Sequence, residues 1–295
     1  MIPEGLYWNQ AELPAGHRLD WGLVSVIAFD AGTAPFLIGT AFIVAAAGRD
    51  AVACTAAHNF EAVRRAQAPP RAHHPSALSE FLPSAVALNI DRTKIRAVSS
   101  DHGRFEMATL SWAIWDPDTD IAFFGLRPQH EEDVDYFQSS FLFDDELPKV
   151  GDEVAALGYA GMEIRDNASD GASRHFTVAR QPLLRVGRVT SVCMDGHILC
   201  RGPCFETTVP FFPGMSGGPV MRMAREGPMK PFGIISSDPA SDSHKQDRSI
   251  RGYGAVALLC PMIRVMGEQK QDVAIGFRSL LSAGIDLARL QTSAG

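Results

Sequence analysis

The sequence predicts an all-β protein made of two barrel-like halves, and three observations support this fold class. Short apolar runs rich in Val, Ile and Phe, separated by Gly and Asp, recur along the chain, as is typical of β-strands. An acidic, irregular stretch at 127–148 divides these runs into two groups. Strands do not alternate with long helical patterns, which disfavours a parallel α/β sheet and favours β-barrels.

The first half spans 23–148 and follows an irregular lead-in at 1–22. An insertion at 59–83, rich in Pro and His and partly helical in pattern, interrupts the strands and is expected on the barrel surface. The predicted strands of this half are Leu23–Phe29, Phe36–Ala46, Ala51–Thr55, Ala85–Ile90, Ile95–Val98, Met107–Ile114 and Ile121–Leu126.

The second half spans 149–262 and begins with a turn and a strand at Val150–Tyr159. Its tail, 263–295, carries apolar residues at helical spacing, which predicts a C-terminal helix. The further predicted strands of this half are His175–Ala179, Leu183–Val186, Arg188–Cys193, His197–Cys200, Phe205–Val209, Pro219–Met223, Phe232–Ser236 and Tyr253–Leu259.

The composition is that of a globular protein without a nucleic-acid or membrane partner. Hydrophobic residues make up 46% of the 295 positions and charged residues 21%, enough for a sizeable core. The net charge of −7 disfavours binding to nucleic acid. The first residues lack a signal-peptide pattern, and no apolar run reaches the roughly 18 residues of a membrane helix. Five cysteines form no disulfide framework, so we expect reduced thiols and a cytoplasmic location.

The stretch Pro213–Val220 holds a serine, Ser216, between glycines. Gly214 and Gly217 can adopt backbone angles that are closed to other residues. The turn can therefore expose Ser216 while the N–H groups of Gly214 and Ser216 point to one spot. Preformed donors of this kind make an oxyanion hole, which binds the negative charge that develops on an attacked carbonyl.

A histidine and a carboxylate precede this serine, each where a predicted strand meets a loop. They are His58 and Asp120, and a cleft between the two halves could bring them to Ser216. Asp116 and Asp118 are rivals for the acidic role, but only Asp120 directly precedes a buried run. The other two are typical of turn residues.

Two alternative motifs overlap these residues and fail on their context. The acidic spacing before Ile121 opens like a calcium loop, but Ile121 replaces the required glycine and Arg127 the required glutamate. The serine also satisfies the G-x-S-x-G nucleophile elbow of α/β-hydrolases, whose histidine follows the serine. Here only His244 does so, and Pro219 stands where a helix should begin.

Three segments together resemble the trypsin-like serine peptidases of the chymotrypsin fold. They are Thr55–His58 (TAAH), Asp120–Ala122 (DIA) and Gly214–Pro219 (GMSGGP). Gly39–Val44 and Val150–Tyr159 are similar to the bacterial HtrA-type branch, and the resemblance covers about residues 23–262. It implies two six-stranded antiparallel β-barrels, a bacterial serine endopeptidase acting on proteins or peptides, and no cofactor.

The resemblance also implies a role for each residue. Ser216 would be the nucleophile, activated by His58 as general base, and Asp120 would orient the histidine and stabilise its charged form. The backbone amides of Gly214 and Ser216 would form the oxyanion hole.

Met215 departs from the secreted members of the family, which carry an aspartate before the serine to pair with a newly cut N-terminus. We therefore expect no zymogen activation of that kind, and regulation by a protein partner or by loop ordering instead. HtrA-type members often carry a PDZ domain after the protease, and the roughly 33 residues after Met262 are too few for one.

The resemblance places the substrate pocket on two segments. Pro210, six positions before the nucleophile, lies at the pocket base and is followed by Phe211, while Ser236, Ser237 and Asp238 line the wall. Because no aspartate stands at the base, a preference for Lys or Arg is not indicated. We expect a small or medium apolar side chain before the cleaved bond, although Asp238 could add charge.

A cluster of Cys193, His197, Cys200 and Cys204 offers ligand types that suit zinc. Its spacing matches no common zinc pattern, and a hairpin turning at 195–196 with buried thiols is the simpler interpretation. The sequence leaves metal binding there open. It also leaves open two rival functions: a catalytically silent binding or scaffold protein on the peptidase fold, and a latent effector that cuts one protein when a partner activates it.

Overall fold

The structure is a computed structural model, and it describes residues 9–12, 18–29, 35–63, 86–88, 90–101, 104–116, 118–129, 136–137, 140–144, 146–160, 162–167, 175–180, 182–197, 200–223, 230–237 and 254–258. The predicted C-terminal helix and tail at 263–295, and residues 64–83 of the predicted insertion, lie outside these residues. The domain limits drawn from the sequence therefore stay a prediction.

The lead-in is more regular than the sequence predicts. It contains a strand, β1 (Asn9–Glu12), and one helical turn, α1 (Arg18–Trp21). The predicted irregular lead-in at 1–22 is thus wrong for these residues. The strand β1 pairs with the distant strand Pro182–Cys193. Local sequence patterns do not predict pairing over such a distance.

The first sheet has seven antiparallel strands, six of which close into a barrel. Its strands are β2 (Leu23–Ala28), β3 (Phe36–Ala47), β4 (Asp50–Ala56), β5 (Val86–Ala87), β6 (Ile95–Asp101), β7 (Arg104–Asp116) and β8 (Ile121–Pro128). Long β7 pairs with β6 through its first residues and with β8 along most of its length, which closes the circle, while β5 adds at the edge. A 3₁₀ helix at Ala57–Val63 follows β4 and begins the predicted insertion.

The second sheet is also antiparallel and is joined by β1. Its strands are β9 (Glu153–Tyr159), β12 (Pro182–Cys193), β13 (Cys204–Thr207), β14 (Pro219–Arg222), β15 (Pro231–Ser237) and β16 (Gly254–Leu258). The pairing order is β1-β12-β13-β16-β15-β14-β9, and β9 pairs again with β12. A separate hairpin consists of β10 (Glu163–Asn167) and β11 (His175–Ala179). The predicted all-β fold of chymotrypsin type is confirmed.

The alternation of side chains along the strands builds three apolar clusters. Neighbouring residues of a strand point to opposite faces, so Phe124 lies inside the first barrel while Phe123 packs between the two sheets. Tyr159 reaches the same central cluster from β9, and Met215 belongs to the interior of the second sheet. The helices of the described part of the chain lack the length and hydrophobicity of a membrane-spanning segment. The central cluster fixes the two sheets against each other. Of the predicted catalytic residues, His58 lies on the 3₁₀ helix after β4, and Asp120 and Ser216 lie on turns.

Candidate active site

The turn around Ser216 depends on two glycines with left-handed backbone angles. Gly214 has φ 94° and Gly217 has φ 86°, in the region that favours glycine. At Gly217 a Cβ atom would lie 2.1 Å from both the Thr40 carbonyl oxygen and Thr55 Oγ1. The turn is therefore pressed against the first barrel, and only glycine fits at this contact.

The structure places His58 directly beside Asp120. His58 Nδ1 lies 2.9 Å from Asp120 Oδ2 and 3.1 Å from Oδ1, and the His58 backbone N–H donates to Oδ1 at 2.9 Å. The carboxylate favours the tautomer with hydrogen on Nδ1, which leaves Nε2 as a proton acceptor. The His58 side chain is 42% exposed and the Asp120 side chain 17%. The imidazole is thus oriented by the acid and open to an incoming substrate.

Asp120 is held in an unusual backbone conformation. Its φ is 55°, the one positive φ at a non-glycine residue of the described chain. The Ala57 N–H donates to its carbonyl oxygen at 2.9 Å, and Ser236 Oγ donates to its Oδ2 at 2.5 Å. Strained angles of this kind persist only where surrounding bonds fix them, and they concentrate at functional sites.

The two rival aspartates take structural positions. Asp116 is buried, and its Oδ1 accepts the N–H groups of Asp118 at 2.9 Å and Thr119 at 3.3 Å. Burial raises the pKa of Asp116 above its usual value. Asp118 is exposed within the same turn. Asp116 thus shapes the turn that presents Asp120 to the histidine.

Ser236 joins the predicted acid to the predicted nucleophile. Its hydroxyl bonds Asp120, and its carbonyl oxygen lies 3.5 Å from Ser216 Oγ, at the outer limit of a hydrogen bond. Ser236 is 2% exposed. The sequence assigns Ser236 to the pocket wall and misses its contact with the carboxylate, for which 116 residues of separation leave no local signal.

The two predicted oxyanion-hole donors, the backbone N–H groups of Gly214 and Ser216, have no hydrogen-bond acceptor among the described residues. By contrast, Met215 N–H donates to the Phe212 carbonyl at 3.0 Å and Gly217 N–H to the Ile235 carbonyl at 2.7 Å. The N–H groups of Gly214 and Ser216 are thus the two donors of the turn that no described acceptor binds.

A buried arginine, which the sequence did not predict, contacts the predicted pocket base at Pro210. Arg185, on β12, is buried, and its Nη1 donates to the Pro210 carbonyl. Its guanidinium carbon lies 4.0 Å from the centroid of the Phe212 ring. Phe211 is buried in the interior of the second sheet. A guanidinium beneath this segment agrees with a pocket that is not built for Lys or Arg.

Two further predicted pocket residues, Ser237 and Asp238, lie at and beyond the end of β15. Ser237 ends β15, and its side chain lies outside the described atoms. Asp238 lies outside the described residues.

The cysteine cluster forms the predicted hairpin end. Cys193 and Cys204 are cross-strand partners of β12 and β13. Cys200 and Cys204 are hydrogen-bonded, which lowers the pKa of Cys200 and raises that of Cys204. His197 Nε2 lies 3.2 Å from Glu206 Oε1. In the described ranges no three His, Cys, Asp or Glu side chains converge into a group that could hold a metal ion.

The fold and the site define the class of chymotrypsin-like serine hydrolases. A family profile described as "Trypsin-like peptidase domain" matches residues 39–227, well over half of the chain. The chain belongs to the trypsin-like peptidase family, whose members are serine endopeptidases.

Solved structures similar to this chain include two forms of one bacterial protease. The inactive form of the Rv3671c protease from M. tuberculosis is 15% identical, with 85% of this chain and 89% of that chain covered and a TM-score of 0.44. The active form is 16% identical, with 82% and 77% covered and a TM-score of 0.44. No curated protein sequence matches the chain closely enough to count as a relative.

Proposed function

We propose that this serine endopeptidase hydrolyses peptide bonds through His58, Asp120 and Ser216 by way of an acyl-enzyme. The observation that carries the proposal is the contact of His58 Nδ1 with Asp120 at 2.9 Å, with Ser236 linking the same carboxylate to the serine. The proposal includes a second six-stranded barrel, formed by β9 and β12–β16, that presents the serine to the cleft between the sheets.

The chemistry follows from what each group can do. Ser216 Oγ attacks the carbonyl carbon of the substrate while its proton passes to His58 Nε2. The amides of Gly214 and Ser216 bind the oxygen that becomes negative. The intermediate collapses, the C–N bond breaks, and the leaving amine takes the proton from the imidazolium. A water molecule, deprotonated by His58, then hydrolyses the ester and restores Ser216. Asp120 stabilises the imidazolium in both halves of the reaction.

A fluorophosphonate probe tests the proposal because it labels only an activated serine. Wild-type protein is expected to be labelled on Ser216, and Ser216→Ala to remain unlabelled. Ser25→Ala is a matched control, since Ser25 is a buried serine whose hydroxyl donates to the Val98 carbonyl at 3.1 Å and accepts from Arg180 Nη1 at 3.5 Å. Labelling that survives in Ser216→Ala would overturn the site, and absent labelling of the wild type would favour a silent scaffold.

The substrate preference is a further part of the proposal. We expect cleavage after small or medium apolar side chains, because no aspartate stands at Pro210 and a guanidinium lies beside its carbonyl. A peptide library profiled by mass spectrometry should show such residues before the cut, favoured over Lys or Arg by about tenfold or more. Preferred cleavage after Lys or Arg would contradict the pocket assignment.

The location and control of the enzyme are proposed from the chain's own features. The described cysteines 54, 193, 200 and 204 are free thiols, which supports a reducing, cytoplasmic setting. Met215 is fully buried in the second sheet and cannot take part in an ion pair. Its position supports control by a protein partner or by loop ordering in place of cleavage at the N-terminus.

A further inference from the structure

A threonine of the first barrel contacts the nucleophile turn at two points. Thr40, on β3, is fully buried, and its Oγ1 donates to the Gly214 carbonyl at 2.7 Å. The same oxygen accepts the Tyr159 N–H at 2.9 Å. The Thr40 N–H donates to the Ser216 carbonyl at 2.8 Å. One residue thus binds the carbonyl groups on both sides of Met215.

An asparagine next to the predicted base supports the same carbonyl. Asn59 is 2% exposed, and its Nδ2 donates to the Ser216 carbonyl at 3.0 Å and to Thr55 Oγ1 at 2.9 Å. Thr55 Oγ1 in turn donates to the Thr40 carbonyl at 2.7 Å. Gly39 leaves room for this amide, since a Cβ there would lie 2.3 Å from Asn59 Nδ2. We call Thr40, Thr55 and Asn59 the polar clasp.

The polar clasp fixes the peptide groups that flank the oxyanion-hole donors. The peptide group after Gly214 is bound at both ends, by Thr40 Oγ1 at its oxygen and by the Phe212 carbonyl at its N–H. The carbonyl of Met215 accepts the Gly218 N–H at 2.9 Å. The Ser216 N–H belongs to the peptide whose oxygen, the Met215 carbonyl, is bound by Gly218, and the peptides on either side of it are held by the polar clasp. Rotation of this part of the turn would therefore break several hydrogen bonds. A buried donor or acceptor left unpaired destabilises the conformation that buries it.

We propose that Thr40 and Asn59 are positioning residues that hold the nucleophile turn in its oxyanion-binding conformation without a new N-terminus. The inference rests on the proposed function, because it assigns the clasp a role in that same site. Buried Met215 offers no carboxylate for an activating ammonium group, while neutral hydrogen bonds from the first barrel reach both of its neighbours. The turn is therefore held by hydrogen bonds and needs no ammonium group.

The test compares Thr40→Val, which keeps the shape but loses the hydroxyl, with Thr40→Ser, which keeps the hydroxyl. Thr40→Val is expected to lower kcat and the rate of fluorophosphonate labelling by roughly 10- to 100-fold, somewhat less than removal of a donor itself. KM should change by less than about threefold, because the hydroxyl touches the turn and not the substrate. Thr40→Ser should restore most of the rate. Asn59→Leu should act in the same direction as Thr40→Val.

A merely structural role would give a different pattern. It would lower the melting temperature of Thr40→Val without a selective loss of kcat in the folded protein, as we expect for Ser25→Ala. Equal labelling rates in wild type and Thr40→Val would overturn the inference while leaving the proposed function standing. Labelling of Ser216→Ala would overturn the proposed function itself. Wild type that is labelled only after trimming of its N-terminus would also overturn the inference.

Discussion

Alanine at Ser216 or at His58 is expected to lower kcat by about a millionfold, and alanine at both positions by no more than either change alone. The reason is that the base acts only through the nucleophile. Once the serine is gone, His58 has no proton to remove, and once the histidine is gone the hydroxyl is a poor nucleophile. The measurement is a double-mutant cycle on one peptide substrate, with kcat determined for all four proteins.

Both single variants should remain folded, so the cycle reports on chemistry. His58 is 42% exposed on the 3₁₀ helix, and its alanine variant empties no core position. Ser216 makes its firm contacts through the backbone carbonyl, which alanine retains. Circular dichroism and melting temperatures provide the control. Additive losses in the double variant would show that the two residues act separately and would contradict the proposed triad.

The sequence predicts the fold and the site residues where the signals are local. Short apolar runs bounded by turn residues correspond to strands of both sheets, since burial and turn chemistry act within a few residues. Asp120 could be chosen over Asp116 because it directly precedes Ile121 and the buried strand β8. In the structure Asp120 lies beside His58, and Asp116 accepts backbone N–H groups of the turn.

The features that the sequence does not reveal all depend on distant contacts. Ser236 lies 116 residues from Asp120, and Arg185 lies 25 residues from the Pro210 carbonyl that it binds. The strand β1 is ordered by β12, and Gln10 there pairs with Arg185. Periodicity and turn motifs describe residues that are near each other in the sequence. These contacts join residues that become neighbours only when the sheets form, so no such pattern predicts them. The polar clasp belongs to the same group.

Asparagine at Asp120 is expected to lower kcat by about ten-thousandfold near neutral pH, a magnitude carried over from the Ser-His-Asp triad in general, where this substitution is the known example. An asparagine NH₂ facing His58 Nδ1 would donate instead of accept. The ring would then carry its hydrogen on Nε2, which removes the proton acceptor that faces Ser216. Steady-state kinetics on the peptide used for the double-mutant cycle provide the measurement.

The backbone makes Asp120→Asn a sharper test than Asp120→Ala. Asparagine tolerates the φ of 55° at this position better than alanine does, so the turn should keep its shape. With the NH₂ at the Oδ2 position that faces His58 Nδ1, the amide oxygen at the Oδ1 position still accepts the His58 backbone N–H. The Ser236 hydroxyl can turn to accept from the NH₂, and the Ala57 N–H still binds the backbone carbonyl. A loss of activity in the folded Asn variant therefore results from the reversed hydrogen bond to His58.

Asp116→Asn is the matched control, because it changes a neighbouring carboxyl that faces the turn, and we expect it to keep kcat within about tenfold. If Asp116→Asn lost as much activity as Asp120→Asn, orientation of the histidine would have to be assigned to the whole turn.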